Sequence, residues 1–355
     1  MARDKRLTLE QSQLISRVRT MGTATMIPIF LEDSELVKLT AIILNDIGRT
    51  ELIPSNIQLP ADVNYYNLPI EWFTQKLEGA DFIPVFLNSL QNIPDFDTYL
   101  KCLCEIHKRR RKYEKILSAQ PLPKMAQISP RALLEYGIIS SNALASWMTW
   151  RKWFYDIDNR AAQETGYLFE PILASVLGGI PYGAQNSPIR RRNNPKRGRQ
   201  VDCIVDKTAY EFKLRVTIAA SGQGRFAEEL DFAEDCKESN FNPVLLVLDP
   251  TPSSRLQELS REYTRVGGEA YIGDEAWLHL EEQAGETMTK FVEKYVRQPI
   301  AEVTTVADDL LNLSISNVPD DSSFKIEISN EQSSYIWNIS RHEDEILGDI
   351  SEDEL

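Results

Sequence analysis

Three ionisable residues in one short stretch have the types and spacing for metal-assisted chemistry. In Val201–Arg215 (VDCIVDKTAYEFKLR) they are Asp202, Glu211 and Lys213. With Asp206-Lys207 as a two-residue hairpin turn, Val205 pairs with Thr208, Ile204 with Ala209, Cys203 with Tyr210, and Asp202 with Glu211. The two carboxylates then face each other with Cβ atoms roughly 4.5–5.5 Å apart. Like charges so placed repel unless a cation lies between them. Glu211 and Lys213 are two residues apart and share a face, while Tyr210, Phe212 and Leu214 supply an apolar opposite face. The pattern predicts one wet face bearing Asp202, Glu211 and Lys213, backed by a dry one. Carboxylate oxygens with an open coordination sphere suit Mg²⁺, and an ammonium beside it can hold or activate an attacking water.

The elements around this hairpin must hold it. Gln200–Val205 and Thr208–Val216 read as its two strands. Asn159–Leu177 reads as a helix ending at Gly178-Gly179, with Pro171 as a potential kink. Gly224–Glu238 and Ser253–Val266 read as helices. Pro243–Asp249 is a continuous apolar run, the sign of a buried strand, and Glu269–Ile272 is a short one. The order α-β-β-α-β-α-β, with room for another strand before Gln200, predicts an α/β core with a central mixed sheet flanked by helices.

Upstream, residues 1–128 read as a mainly helical region serving DNA binding or dimerisation. Its helices are Ser34–Asp46 and Thr98–Leu117, the latter with the basic run Lys108–Lys112 on its exposed side. Residues 129–300 form the expected catalytic domain. Residues 301–341 form a C-terminal extension in which Ser323–Ser329 and Ser334–Ser340 pair as a hairpin. The acidic tail, residues 342–355, reads as mobile.

The net charge of −14 argues against a polyanionic partner, but charge is unevenly spread. Asn186–Arg199 (NSPIRRRNNPKRGR) carries only basic charges, and local field decides at close range, where the Debye length is about 8 Å. The four cysteines, few for this length, fit a reduced, cytoplasmic protein. No apolar run reaches the roughly 18 residues of a membrane span, and the N-terminus does not read as a secretory signal. Cys102, Cys104 and His107 do not form a zinc site, since on a helix the two cysteines point apart. Trp147, Trp150, Trp153, Phe154 and Tyr155 read as core packing or a dimer interface rather than a base-stacking platform.

Asp-x8-Glu-x-Lys within α-β-β-α-β resembles the PD-(D/E)xK nuclease superfamily, in particular the type II restriction endonucleases. The likeness covers about Asn159–Asp249, with Gln200-Val201-Asp202 in place of the usual proline before the aspartate. Within the superfamily the sequence is similar to the ApaLI-like restriction enzymes. The resemblance implies a restriction-endonuclease-like fold, Mg²⁺ held by Asp202 and Glu211, and hydrolysis of double-stranded DNA to 5′-phosphate and 3′-hydroxyl ends. It also implies a glutamate on the preceding helix. Glu164 and Glu170 are the candidates, and six residues apart on a helix only one faces the metal; Glu164 is favoured. A palindromic target makes a homodimer the default.

In this setting Arg190, Arg191, Arg192, Asn193, Asn194, Lys196, Arg197 and Arg199 form a flexible basic loop suited to a DNA groove. Arginine clamps phosphate or guanine, and asparagine reads adenine. Gln223 and Arg225, beside Gly222 and Gly224, are further contacts at a helix N-terminus. Two alternatives stay open: a repair or junction-resolving nuclease of the same fold, and a non-catalytic DNA-binding protein.

Overall fold

The computed structural model describes residues 7–21, 27–61, 63–214, 223–306, 310–318 and 323–340. The acidic tail expected at 342–355 lies outside them. The chain divides into two compact units, each assembled from separated stretches. One comprises Asp33–Glu105 and Gly166–Pro299; the other comprises Met1–Glu32, Ile106–Thr165 and Ile300–Leu355. This division differs from the sequence-continuous regions expected at 1–128, 129–300 and 301–341. Helix α1 (Asp33–Asp46) lies within the first unit, but two long helices, α2 (Phe96–Ala119) and α3 (Ser141–Val176), each give residues to both units.

The first unit holds the sheet. Its strands are β1 (Ile180–Tyr182), β2 (Val201–Val205), β3 (Thr208–Lys213), β4 (Asn242–Val247) and β5 (Glu269–Ile272), hydrogen-bonded in that spatial order. β1, β2 and β3 are antiparallel neighbours, while β3, β4 and β5 run parallel. The sheet is therefore mixed and the fold α/β, as the element order predicts. Three of the four predicted β2–β3 pairs form, Val205 opposite Thr208, Ile204 opposite Ala209 and Cys203 opposite Tyr210; the expected Asp202–Glu211 pair is not in the ladder, and the Asp202 carboxylate accepts the Phe212 N–H instead. Asp206 closes the turn at φ 51°, a left-handed conformation that aspartate tolerates better than most residues.

Parallel pairing of β3 with β4 demands a crossover, which is almost always right-handed and carries a helix. That helix is α4 (Gln223–Glu238), followed after β4 by α5 (Ser254–Arg265). Phe232, Ala233 and Cys236 of α4 and Leu256, Leu259 and Tyr263 of α5 bury the sheet face carrying Ala209, Leu245 and Val247. Glu211 and Lys213 alternate onto this same face. The expected wet face is thus a helix-covered one. β3 also stops at Lys213, short of the expected Val216; residues 215–222 lie outside the described set.

In the second unit, Ser323–Ser329 and Ser334–Ser340 pair as predicted, and Asn312–Asn317 adds a third antiparallel strand. Trp153, Ile326 and Ile339 form the core there, and Trp150 meets Phe324 edge-on at 5.1 Å. Trp147 and Tyr155 are exposed. The run Lys108–Lys112 is not the exposed basic stripe expected. Lys108 is fully buried and donates to the carbonyls of Arg17 (2.7 Å) and Thr20 (3.1 Å), and Lys112 is also buried. Five consecutive helical residues point all round the axis, so a basic run cannot stay on one face.

Pro171 lies inside α3, which continues through it. All four cysteines are buried, and none is in a disulfide. Among the described residues no helix is long and apolar enough to cross a membrane.

Candidate active site

Asp202 sits near the start of β2, and Glu211 and Lys213 at the end of β3. One Asp202 oxygen accepts the Phe212 backbone N–H at 2.8 Å, which ties the carboxylate to the neighbouring strand beyond the last ladder pair. Lys213 Nζ donates to Glu211 Oε1 at 2.9 Å and lies 3.3 Å from Glu229 Oε1 of α4. Both partners in the Lys213–Glu211 pair are only 19% exposed. A cleft of about 240 Å³ opens beside Asp202, lined by Glu170, Pro171, Pro181, Tyr182, Gly183, Gln200 and Val201.

Gly179 precedes β1 where the backbone runs against β2. A Cβ there would collide with Cys203 Sγ and come 2.8 Å from the Ile204 carbonyl oxygen. Only glycine permits this approach, which sets β1 and the cleft wall next to Asp202.

The site is overloaded with negative charge. Burial pushes the Asp202 carboxyl well above the ordinary carboxylate range, and Glu211 and Glu170 push it further. The Phe212 N–H and Lys213 pull the other way without cancelling. Glu170 is raised by burial and then by Glu211, with Lys213 opposing. Burial would lower the Lys213 ammonium, but Glu211, Glu229 and Asp202 outweigh it and hold the proton on nitrogen more firmly than usual.

The helix glutamate brought beside Asp202 is Glu170 rather than the expected Glu164. Both Glu164 oxygens are occupied, one by Arg109 at 2.6 Å and the other by Lys112. The Glu164 charge is thus already balanced by two cations of the protein itself.

The donor chemistry fits a divalent cation. A partly buried aspartate and a nearby glutamate, raised or crowded by a third carboxylate and sharing one lysine, form an acid cluster that added positive charge would relieve. Among the described residues no three acidic, histidine or cysteine side chains converge on one point.

The basic stretch beside the site is an ordered ribbon rather than a loose loop. Arg190–Arg191 pairs with Asn194–Gly198, and α4 grips the ribbon with its acidic side. Arg191 pairs with Glu228 at 3.1 Å, and Arg192 with Asp231 at 3.0 Å and with Glu234. Asp235 is buried; it accepts the Arg192 N–H at 2.7 Å and lies 3.3 Å from the Arg199 guanidinium. Arg190, Asn193, Asn194, Lys196 and Arg197 are exposed, and among the described residues neither Arg190, Lys196 nor Arg197 has an ion-pair partner. The side chains of Gln223 and Arg225 lie outside the described residues.

Comparison with known proteins identifies the family of the chain. The family described as ApaLI-like restriction endonuclease matches residues 85–297, a span that includes Glu170, Asp202, Glu211, Lys213 and Glu229. The type II restriction enzyme ApaLI of Acetobacter pasteurianus is 49% identical over 315 residues, 85% of this chain and 84% of that protein. The chain belongs to the ApaLI-like restriction endonuclease family. It is thus a type II restriction endonuclease, a hydrolase of the site-specific deoxyribonuclease class. No solved structure matches this restriction endonuclease.

Sequence reasoning missed Glu229. Its one signal is topological: a right-handed β3-α4-β4 crossover returns the early turns of α4 over the end of β3, where Lys213 lies. It also missed the ribbon's anchoring, for which the acid-rich run Glu228–Asp235 in α4 was the available sign.

Proposed function

We propose that this restriction endonuclease uses Mg²⁺ to hydrolyse double-stranded DNA at a specific sequence, with Asp202 and Glu211 as cation ligands, Lys213 at the attacking water and Glu170 in support. The observation that carries this reading is the Lys213 ammonium, only 19% exposed and 2.9 Å from Glu211, beside an Asp202 carboxyl raised by burial and then by its acidic neighbours. When bound, Mg²⁺ supplies charge against the phosphate oxygens and acidifies a water. Asp202 and Glu211 hold it on the strand pair, and the Phe212 N–H fixes the Asp202 carboxylate. Lys213 orients the water by donating to its oxygen and stabilises charge growing at phosphorus. Cleavage of the bond to the 3′ oxygen leaves a 5′-phosphate and a 3′-hydroxyl.

The ribbon supplies DNA contacts. Its free side chains, Arg190, Asn193, Asn194, Lys196 and Arg197, suit phosphate and base edges, while Arg191, Arg192 and Arg199 act as anchors. A two-stranded ribbon fits the major groove. A homodimer would match a palindromic site with two such centres.

Digestion of a long unmethylated DNA of known sequence, with Mg²⁺ and with EDTA, tests this reading beside Lys213→Ala. Discrete Mg²⁺-dependent fragments are expected, with the variant slower by about 100-fold or more. Wild-type cleavage by the variant would remove Lys213 from the chemistry.

A further inference from the structure

Lys213 has a carboxylate partner for which the hydrolytic scheme has no use. Its ammonium is held between Glu211 Oε1 at 2.9 Å and Glu229 Oε1 at 3.3 Å. Glu211 comes from the same strand; Glu229 comes from α4, across the connection from β3. An ammonium has three donors on a flexible four-carbon stem, so one partner leaves its direction free. Two partners on different elements fix it.

Electrostatics separates this pair from an ordinary surface salt bridge. Glu229 brings a further negative charge to a cluster in which Asp202, Glu170 and Glu211 already outnumber one lysine. An added acid there is unfavourable unless its effect on the lysine matters. Its sequence neighbour Glu228 turns to the ribbon instead, pairing with Arg191 and accepting from Arg199 through its carbonyl. One turn of α4 therefore grips the lysine with one residue and the ribbon with the next.

We infer that Glu229 is a positioning residue for Lys213: it draws the ammonium partly off Glu211, leaving that carboxylate lone pairs for a cation and aiming the amine at the water. This rests on the proposed role of Lys213. Two rivals fit the same region less well: a purely structural pair would not be placed in an acid excess, and a DNA contact would not be acidic.

The test is a double-mutant cycle of Lys213→Ala and Glu229→Ala. Its readouts are single-turnover cleavage of duplex DNA with Mg²⁺, duplex affinity without metal by fluorescence anisotropy, and melting temperature. Glu229→Ala is expected to slow cleavage about 10- to 100-fold, the scale of a misplaced reacting group, with affinity not weakened and melting unchanged. The double variant should be no slower than Lys213→Ala, because Glu229 acts only through the lysine. Glu229→Gln keeps the acceptor oxygen and should recover much of the rate. Wild-type cleavage by Glu229→Ala, losses that multiply in the double variant, or slowing accompanied by weaker duplex binding would each overturn the inference. Wild-type cleavage by Lys213→Ala would instead overturn the catalytic reading itself, so the two failures are told apart.

Discussion

Two glutamates six residues apart on α3 have opposite surroundings. Glu164, 13% exposed, has one oxygen on Arg109 and the other on Lys112. Glu170 lines a cleft with Asp202, and its carboxyl is raised by burial and by Glu211. The first is a closed account of charge, two cations around one acid, as structural ion pairs require. The second is left unbalanced: acids crowd one another and share a single lysine. A fold tolerates an unbalanced buried cluster where something outside the chain completes it. On the proposed function, the contrast assigns Glu164 to structure and Glu170 to the chemistry, although both sit on the same helix.

The comparison is sharpest in paired variants. Glu170→Gln should slow Mg²⁺-dependent cleavage by about 100-fold, the scale for losing a group that acts on developing charge. Glu164→Gln should leave the single-turnover rate within about threefold. It should instead cost stability, because Arg109 and Lys112 lose their shared anion. Breaking a fully buried pair costs about 3–5 kcal/mol, and the 10–19% exposure of these partners reduces that to about 2 kcal/mol, read from urea unfolding. Similar rate losses in both variants would dissolve the distinction.

A smaller effect has the opposite sign. Asp202 is raised above its ordinary range in the fold, first by burial and then by Glu211 and Glu170. A carboxyl raised on folding favours the folded state below its unfolded pKa, about 3.9, and loses that contribution as pH rises through the higher folded value. At neutral pH and without metal, the Asp202 charge is therefore a burden. Asp202→Asn keeps an acceptor for the Phe212 N–H and should raise the melting temperature in EDTA at pH 7. The gain should shrink as pH falls toward 4, where aspartate and asparagine are both neutral. A destabilised Asp202→Asn at pH 7 would show that the acids are already compensated within the protein.

Much of this site could be read in advance because strand geometry is periodic. A two-residue turn at Asp206-Lys207 dictates the pairs down to Cys203–Tyr210, and alternation then puts Glu211 and Lys213 on one face. What could not be read depends on partners distant in sequence. Lys108 is enclosed by carbonyls of Arg17 and Thr20, some ninety residues away in the chain. Nothing local distinguishes its run, KRRRK, from the exposed residues of RRRNNPKRGR. The choice between Glu164 and Glu170 turned on the same hidden partners, since the helical angle between them says only that they diverge. The helix cover over the Glu211 face was implicit in the parallel β3–β4 pairing, but hydrophobic pattern alone does not reveal which face a crossover helix takes.

The two basic runs extend the lesson from acids to cations and give the smallest predicted effect on folding. In the ribbon, Arg191, Arg192 and Arg199 are held by α4, while Lys196 and Arg197 are exposed. Replacing both Lys196 and Arg197 by alanine should leave stability within about 0.5 kcal/mol, as for surface residues without partners. Binding should respond instead. Each lost phosphate contact lowers the slope of log affinity against log salt by about 0.9. A double variant that loses two contacts should therefore bind duplex DNA more weakly at low salt, and the difference from wild type should narrow as salt rises. If only one residue meets phosphate and the other reads a base, the slope falls by half as much, and discrimination against substituted sites weakens as well. Unchanged affinity and slope, measured by anisotropy in metal-free buffer, would mean that the free side of the ribbon meets no DNA, leaving its anchored side as a purely structural counterpart of Lys108–Lys112.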